Sequence, residues 1–346
     1  MTPAILFACD AGPIVGGGHV LRSLTLANAL VEAGARCAFV ETPSVKALLD
    51  IYGLQMPRIP APSDRVQDLV AASREAATFD LVVFDHYGLA ADDQASGAGG
   101  RPVLVIDDLA NRPLHADLVL DSGPDRQAAD YRGLVPPGAE LLLGPAFAPV
   151  RPAFAALRPR ALRRRVQHAL PQRVLVSLGL GDLGGITGRV VEAILPYCED
   201  LQLDVVLGAN AASRSKVAAI ALVYPHVTLH IDSQDMAGLT CEADIAIGGG
   251  GSSSWERCVL GLPSLLLILA DNQRAAARAL EAAGAVMALE ATGQDPALAG
   301  ALCEDFCNLL QDTRLRMGMG IAAADVCDGQ GAARTARAVL ARLAPP

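Results

Sequence analysis

Short apolar runs alternate with amphipathic stretches along the first half of the chain. The apolar runs predict buried strands over residues 4–8, 37–41, 81–85, 103–106, 118–120 and 141–145. Between them, apolar residues at helical spacing predict helices over 20–34, 45–51 and 69–77. This alternation is typical of a parallel, doubly wound α/β sheet, in which ligands bind beyond the carboxyl ends of the strands.

The second half of the chain repeats the pattern. Strands are predicted over 173–178, 203–207, 227–231, 243–247 and 265–269, and helices over 187–195, 236–242, 255–260 and 273–282. We therefore predict two Rossmann-like domains, over residues 1–150 and 173–330, with a cleft between them. Residues 151–172, rich in arginine and proline, are predicted to form a helical linker, with an anion-binding patch as the alternative. Residues 331–346 are predicted to form a helix that packs on the first domain.

Composition and charge narrow the range of partners. The 346 residues are 52% hydrophobic but only 4% aromatic, which fits short strands and alanine-rich helices. A formal net charge of −9 argues against nucleic acid or an anionic membrane, so any phosphate site must be local. No apolar run is long enough to span a bilayer and no signal peptide is visible. The eight cysteines include no CxxC pair, which predicts free thiols in the cytoplasm and no metal site.

Three glycines and a histidine stand between the first predicted strand and the first predicted helix, at residues 16–19. Gly17 and Gly18 let the backbone approach a ligand closely, and a helix N-terminus offers free N–H groups to an anion. His19 lies at the positive end of the helix dipole, which favours the neutral imidazole that a general base needs. The alternative is a glycine-rich turn with a capping histidine. Arg22, one turn further on, is predicted to be a salt-bridge partner.

Polar side chains follow three of the strands predicted in the first half. They are Asp10, then His86 and Tyr87, then Asp107 and Asp108. Because parallel strands end at one edge of a sheet, we expect these side chains to converge on one crevice. For His86, two predictions are equally open: it contacts the ligand as part of the site, or it supports the site structurally. The aspartate pair is predicted to order the turn after its strand rather than to serve as paired catalytic carboxylates.

A stretch of glycine and serine, residues 248–254, joins a predicted strand to a helix in the second half. The hydroxyls of Ser252, Ser253 and Ser254, with backbone amides such as that of Gly251, suit a diphosphate. Neither GK[ST] nor GxGxxG occurs here, so the fingerprints of P-loop and NAD-binding proteins are missing. A flexible loop is the alternative, although the single tryptophan of the chain follows directly.

Other candidate ligands of a nucleotide-sugar flank this stretch. Glu256 suits the hydroxyls of a ribose, and its alternative is a favourable charge in a first helical turn. The amides of Asn272 and Gln273 both donate and accept, which suits sugar hydroxyl and acetamido groups, with helix capping as the alternative. Gly179, after the first strand of the second half, is predicted to contact the substrate through its backbone.

Five short motifs occur in an order that is typical of one family. They are Gly18-His19-Val20-x-Arg22, Asp85-His86-Tyr87, Asp107-Asp108-Leu109-Ala110-Asn111-Arg112, Gly250-x-Ser252-x-x-Trp255-Glu256 and Ala270-Asp271-Asn272-Gln273. On these motifs the chain resembles the UDP-2,4-diacetamido-2,4,6-trideoxy-β-L-altropyranose hydrolases of pseudaminic acid biosynthesis, the PseG family. The resemblance runs from about residue 4 to residue 290, and it implies the two-domain GT-B fold of MurG-like proteins.

The resemblance also implies a reaction. Members of the family hydrolyse their UDP-sugar at the anomeric carbon to UDP and the free sugar, without a metal or a cofactor, in a pathway that serves flagellin glycosylation. It implies that His19 is the general base for water and that Tyr87 places the water or the sugar. It further implies that the serine turn binds the diphosphate, Glu256 the ribose, and Asn272 with Gln273 the sugar.

Three departures from the family pattern and two rival functions stay open. The stretch over residues 248–254 is richer in glycine than the usual Ala/Gly-x-Gly-Ser pattern of the family. Ala8 and Cys9 precede Asp10 where many members have a basic residue, and residues 179–182 read Gly-Leu-Gly-Asp instead of Gly-Gly-x-Asp. A GT-B glycosyltransferase would use similar domains but would also need an acceptor site. A non-catalytic nucleotide-sugar-binding protein would bind UDP and release none from a substrate.

Overall fold

The chain folds as two α/β units. The computed structural model describes residues 2–12, 15–167, 170–291 and 297–344. Unit 1 comprises Met1–Val150 and Gln330–Pro346, and unit 2 comprises Arg151–Gly329. The chain therefore leaves unit 1 after residue 150 and returns to it at residue 330.

Unit 1 contains a seven-stranded parallel sheet with the order β3-β2-β1-β4-β5-β6-β7 in the described residues. Its strands are β1 (Ala4–Cys9), β2 (Arg36–Glu41), β3 (Arg58–Pro60), β4 (Leu81–Asp85), β5 (Val103–Ile106), β6 (Leu118–Asp121) and β7 (Glu140–Leu143). Its helices are α1 (Gly18–Glu32), α2 (Pro43–Tyr52), α3 (Val66–Glu75), α4 (Ala91–Ala98) and, from the end of the chain, α13 (Gly331–Leu343). The strands β1, β4, β5 and β6 are buried along their whole length, which explains why they are continuous apolar runs.

Unit 2 contains a six-stranded parallel sheet with the order β10-β9-β8-β11-β12-β13, again in the described residues. Its strands are β8 (Arg173–Ser177), β9 (Gln202–Leu207), β10 (Val227–Ile231), β11 (Ile245–Gly249), β12 (Ser264–Ile268) and β13 (Met287–Glu290). Its helices are α5 (Pro152–Gln167), α6 (Ile186–Ile194), α7 (Arg214–Val223), α8 (Met236–Glu242), α9 (Ser253–Val259), α10 (Arg274–Ala282), α11 (Ala297–Gln311) and α12 (Thr313–Val326).

The predicted strands are all present, and one of them is displaced. The strand predicted over 243–247 begins instead at Ile245, because the carboxylate of Asp244 accepts hydrogen bonds from the backbone N–H groups of Gln172 and Arg173. It continues through Gly248 and Gly249, which pair with β12. Six further elements were not predicted, namely β3, β13, α4, α7, α11 and α12, although α11 carries Leu298, Leu302, Phe306 and Leu309 at helical spacing.

Most of the arginine-rich segment predicted as a linker forms helix α5, which belongs to unit 2. Arg158 donates to the carbonyl groups of Val259 and Ala324, at the ends of α9 and α12. Arg165 donates to backbone carbonyls at the end of α8. These guanidinium groups donate hydrogen bonds to carbonyl groups that are left unpaired at helix C-termini. The negative end of the helix dipole also favours a cation there.

Helix α13 completes the core of unit 1. Ala332, Ala336 and Val339 are buried in the same apolar cluster as Val20 and Leu24 of α1. In the part of the chain that is described, no helix combines the length and the apolar character needed to cross a membrane.

Candidate active site

The first glycine-rich stretch connects β1 to α1 as the sequence predicts. Gly16 has a φ of +73° and donates its N–H to the carbonyl oxygen of Gly12 at 2.8 Å, which closes the loop. Gly17 caps α1, and a Cβ at this position would lie 3.2 Å from the side chain of Leu48. A side chain at position 17 would therefore require the Leu48 side chain to shift by a few tenths of an ångström. His19 follows as the second residue of the helix.

His19 is paired with a buried carboxylate that the sequence did not single out for a role. Its Nδ1 lies 2.5 Å from Oδ1 of Asp85, the last residue of β4. Asp85 is completely buried, which by itself raises the pKa of its carboxyl group. The charge of Arg22 and the hydrogen bonds from Arg22 and His19 outweigh burial and hold this pKa well below its ordinary value. Asp85 is therefore ionised when the protein is folded at neutral pH.

Arg22 confirms its predicted part as a salt-bridge partner. Its Nε and Nη2 donate to the two oxygens of Asp85 at 2.7 and 2.5 Å. Its Nη1 donates to Oδ2 of Asp108 at 3.0 Å. One guanidinium thus fixes both carboxylates with its planar set of donors.

The ionised Asp85 determines which nitrogen of His19 is free. An ionised carboxylate only accepts hydrogen bonds, so Nδ1 of His19 must carry the proton between them. In the neutral ring the lone pair then belongs to Nε2, which makes no hydrogen bond to any described residue. The side chain is 6% exposed. This is the arrangement of a general base whose orientation is set by a carboxylate.

Tyr87 lies against His19. The two rings meet edge to face, with centroids 4.6 Å apart and planes at 85°. The Tyr87 hydroxyl donates to Oδ2 of Asp108 at 2.9 Å, the same oxygen that accepts from Arg22. The second oxygen of Asp108 is buried and has no partner among the described residues. Tyr87 and Asp108, which follow β4 and β5, are thus brought together as their positions after parallel strands predicted, and His19 of α1 lies beside them.

Asp10 and His86 stand in the wall of a small, partly open pocket. Nδ1 of His86 accepts from the N–H of Gly88, and its Nε2 faces Oδ1 of Asp10 at 3.8 Å, too far for a hydrogen bond. Burial lowers the pKa of His86, although Asp10 opposes the shift. The pocket is also lined by Thr42 and Asp64. Its lining is therefore mainly polar and acidic.

Two further carboxylates, those of Asp107 and Asp121, lie at the ends of β5 and β6 and form hydrogen bonds there. Oδ2 of Asp107 accepts from the N–H of Ala110, and Oδ1 accepts from Arg112, which confirms the predicted turn-ordering role. The hydroxyl of Tyr131 lies 2.9 Å from Asp107 and 2.7 Å from Asp121. Burial and these two carboxylates strongly raise the pKa of Tyr131. The tyrosine therefore stays protonated and links the ends of β5 and β6.

In unit 2, the serine loop (residues 250–254) connects β11 to α9 as predicted. Ser254 is buried, and its hydroxyl donates to the carbonyl oxygen of Gly249 at 3.3 Å. Ser252 and Ser253 are half-buried, and Gly251 is exposed. Ser252 caps the helix without a side-chain hydrogen bond. Two of the three serines therefore remain at the surface of the loop.

Two of the predicted ligands in unit 2, Glu256 and Gln273, have partners inside the protein. Glu256 accepts from Nε of Arg151 at 2.7 Å. Oε1 of Gln273 accepts from the N–H groups of Gly250 and Leu269, both at 3.2 Å, and so ties the serine loop to the end of β12. Asn272 is exposed.

Gly179 lies in a turn with a φ of +102°, and a Cβ there would meet no atom within 4 Å. Asp182 in the same turn is buried and accepts from the N–H groups of Thr187 and Ser213 at 2.8 and 2.6 Å. The aspartate therefore braces the turn, and the open side of Gly179 stays accessible. In the described ranges, no group of three or more His, Cys, Asp or Glu side chains is placed to hold a metal ion.

Sequence reasoning overlooked two residues that the geometry makes prominent, Asp85 and Arg257. Asp85 stood inside a quoted motif, and its position as the last residue of a buried strand, beside two other candidates, was the available signal. Arg257 directly follows Glu256, and its side chain donates to the carbonyl oxygen of Gly249 and to two serine hydroxyls. No local pattern marks an arginine in a helix as buried.

Comparisons with known proteins agree with the motifs. The chain is 24% identical over 280 residues to the UDP-2,4-diacetamido-2,4,6-trideoxy-β-L-altropyranose hydrolase of Campylobacter jejuni, an alignment that covers 79% of this chain and 94% of that protein. It is 25% identical over 290 residues to the spore coat polysaccharide biosynthesis protein SpsG of Bacillus subtilis, covering 81% of each. The predicted resemblance to the hydrolase family is thereby confirmed. No protein-family model matches the chain.

A solved structure, that of MurG from Acinetobacter baumannii, superposes with a TM-score of 0.68 at 18% identity, covering 99% of this chain and 100% of that one. At this identity the likeness concerns the fold alone. The predicted fold class, the α/β architecture of GT-B glycosyltransferases, is confirmed by this likeness and by the two parallel sheets.

Proposed function

We propose that the chain is a hydrolase that cleaves a UDP-sugar at the anomeric carbon, releasing UDP and the free sugar. The substrate that we propose is UDP-2,4-diacetamido-2,4,6-trideoxy-β-L-altrose, which places the reaction in pseudaminic acid biosynthesis. The observation that carries the proposal is the pairing of His19 with the buried, ionised Asp85, which leaves Nε2 as a base. The similarity to the Campylobacter jejuni hydrolase supports the choice of substrate class.

In the proposed reaction, a water molecule attacks the anomeric carbon while Nε2 of His19 takes one of its protons. The new bond joins the water oxygen to the anomeric carbon, and the bond from that carbon to the diphosphate oxygen breaks. UDP leaves with the electron pair. Asp85 accepts the Nδ1–H bond throughout and stabilises the imidazolium that forms. Tyr87, packed edge-on against the imidazole, places the water or the sugar.

The remaining predicted residues receive roles as substrate ligands. In unit 1 these are Asp10 and the backbone of Gly17 and Gly18, next to the base. In unit 2 the diphosphate is assigned to Gly179 and the serine loop, including Gly251, Ser252, Ser253 and Ser254. The ribose is assigned to Glu256, and the sugar to Asn272 and Gln273. Because Glu256 is bound to Arg151, it must exchange or share this partner when the ribose enters.

We propose that no metal or cofactor takes part. UDP is a good leaving group, and N–H and hydroxyl donors at the diphosphate stabilise the charge that it gains. The test is a panel of UDP-sugars incubated with the purified protein and a chelator, with UDP and free sugar both measured. We expect release from a UDP-2,4-diacetamido sugar. Loss of all activity in the chelator, restored by one divalent cation, would contradict the metal-free reaction.

The same assay in ¹⁸O-labelled water locates the broken bond. Attack at the anomeric carbon places the label in the free sugar, whereas attack at phosphorus places it in UDP. We further expect His19→Ala and His19→Leu to lose turnover far more than substrate binding. A His19 variant with full turnover would show that the base has been assigned wrongly.

A glycosyltransferase is the second candidate, because the fold is that of MurG. In that reaction Nε2 of His19 would deprotonate an acceptor hydroxyl instead of water. UDP release would then depend on an added acceptor, and the label from water would be absent from the product. A protein that only binds nucleotide-sugars would bind UDP and show neither product.

A further inference from the structure

Arg257 is a buried cation without an acidic partner. Only 5% of the residue is exposed, and within the described ranges its side chain forms no ion pair. Its Nε has no hydrogen-bond partner either. Burial lowers the pKa of the guanidinium, and the neighbouring Cys258 and Glu256 offset this shift only in part. Arginine is rarely buried unless it is paired, so this position needs an explanation.

The guanidinium lies directly beneath the serine loop. Its Nη1 donates to the hydroxyl oxygen of Ser253 at 3.1 Å. Its Nη2 donates to the carbonyl oxygen of Gly249 at 2.8 Å and to the hydroxyl of Ser254 at 3.2 Å. A Cβ on Gly248 would lie 2.4 Å from Nη1. The glycine at position 248 therefore provides the space that the guanidinium occupies.

These contacts orient the serine hydroxyls. A hydroxyl that accepts from a cation must direct its own proton elsewhere. Ser254 directs it to Gly249, but the Ser253 hydroxyl has no second partner among the described residues. Its proton is therefore available to an anion on the loop. The backbone N–H groups of Gly251 and Ser252 are also unbonded within the described part of the chain, and they lie on the same loop.

We propose that Arg257 is a positioning residue for the leaving diphosphate: it holds the Ser253 hydroxyl as a donor and keeps a buried positive charge next to the serine loop. This inference rests on the proposed function, because it places UDP on the serine loop. The charge acts through a dry interior, where an ion attracts a nearby anion more strongly than in water. As the bond to the sugar breaks, the diphosphate gains negative charge, and the attraction increases.

The experiment compares the affinities of UDP and uridine, measured by titration calorimetry. Uridine lacks the diphosphate, so it reports on the rest of the nucleotide site. We expect Arg257→Gln to weaken UDP binding by about tenfold or more, the effect of losing one charge-assisted interaction, and to leave uridine binding unchanged. Ser253→Ala should weaken UDP selectively as well. Because the arginine acts partly through the serine, the two effects in the double variant should be less than additive.

Two further variants separate this role from a structural one. Arg257→Lys keeps a charge but only part of the hydrogen bonding, so it should recover part of the UDP affinity. Arg316→Gln is the matched control, since Arg316 is also a buried arginine of unit 2 and donates to the carbonyls of Leu309 and Leu310. It should lower the melting temperature without changing the ratio of UDP to uridine affinity.

The inference is overturned if Arg257→Gln weakens the binding of UDP and of uridine equally. In that case the ratio of UDP affinity to uridine affinity would be the same in the folded variant as in the wild type. If Arg257→Gln does not fold, the UDP affinity of Ser253→Ala tests the inference instead. The Ser253 side chain is only half-buried, so we expect this variant to fold. Wild-type UDP affinity in that variant would reject the inference. Failure of the proposed reaction gives a different result: the protein would bind UDP but would turn over none of the UDP-sugars.

Discussion

Replacing Asp85 by asparagine changes one buried atom of the side chain and reverses the hydrogen bond to His19. The carboxylate accepts from Nδ1 of His19, from two nitrogens of Arg22 and from the hydroxyl of Ser23. The amide of an asparagine would donate to Nδ1, which moves the imidazole proton to Nε2. The nitrogen that faces the substrate in our proposal would then be a donor and not a base.

The size of the effect follows from these contacts. Neutralising the carboxylate that orients a histidine base lowers turnover by about 10⁴-fold, which corresponds to about 5 kcal/mol in the activation free energy. Breaking a buried ion pair costs about 3–5 kcal/mol of folding free energy. Arg22 keeps its second carboxylate, Asp108, so we expect the lower end of that range. The variant should therefore fold but hydrolyse its substrate very slowly.

The assay measures UDP release at saturating substrate together with urea unfolding. The matched control is Asp204→Asn, because Asp204 of β9 is also buried and also accepts from an arginine and a histidine, Arg173 at 2.5 Å and His230 at 2.7 Å. It should lose comparable stability and keep its turnover. A folded Asp85→Asn protein with more than about a tenth of wild-type turnover would refute the role of the carboxylate.

The pH dependence of stability provides an independent check on Asp85. Since its pKa is lowered from the ordinary value of 3.8 by folding, the carboxylate stabilises the protein fully above about pH 4. This contribution is lost only as the pH falls from there toward the lower pKa of the folded state. The difference in unfolding free energy between wild type and Asp85→Asn should hence be constant near neutrality and shrink in acid. A difference that instead grew in acid would mean that Asp85 is protonated in the fold.

Three further substitutions test other parts of the structure. Tyr131→Phe removes the hydroxyl between two buried carboxylates and should cost about 1–3 kcal/mol in urea unfolding; an unchanged midpoint would show that the hydroxyl does not link the strand ends. Asp182→Ala leaves two buried N–H groups without an acceptor and should cost about 2–4 kcal/mol, whereas Asp182→Asn, which keeps an acceptor oxygen, should cost less. Tyr87→Phe keeps the ring against His19 but loses the hydrogen bond to Asp108, so turnover should fall by about tenfold with UDP affinity unchanged; equal losses in both would argue for a role in binding.

The strands were predictable because they are buried on both faces. A strand of this kind needs an apolar residue at nearly every position, and such a run is visible in the sequence. Ile5 and Val83, for example, are completely buried and stand in unbroken apolar runs. Helix α5 was harder to place, because its arginines resemble a solvated surface. They are held by carbonyl groups 75 or more residues away along the chain, such as that of Ala243 with Arg165. No local pattern contains such a contact.

The candidate site was predictable in part, because the carboxyl ends of parallel strands lie at one edge of a sheet. The carboxyl ends of parallel strands had to bring Tyr87 near Asp108, and they do. The sequence could not say which carboxylate would meet the imidazole. That choice depends on the depth of Asp85 in the sheet and on the reach of Arg22 from the next turn of α1.

The return of the chain to unit 1 has a consequence for its synthesis. Residues 151–329 are continuous, so unit 2 can fold as soon as they have been translated. Unit 1 is translated first but lacks α13, whose Ala332, Ala336 and Val339 belong to its core. Until that helix is made, the apolar surface that it covers on α1 stays open to solvent and to other chains. The half that carries His19 is therefore the last to be completed, and residues 1–150 expressed alone would be missing part of their core.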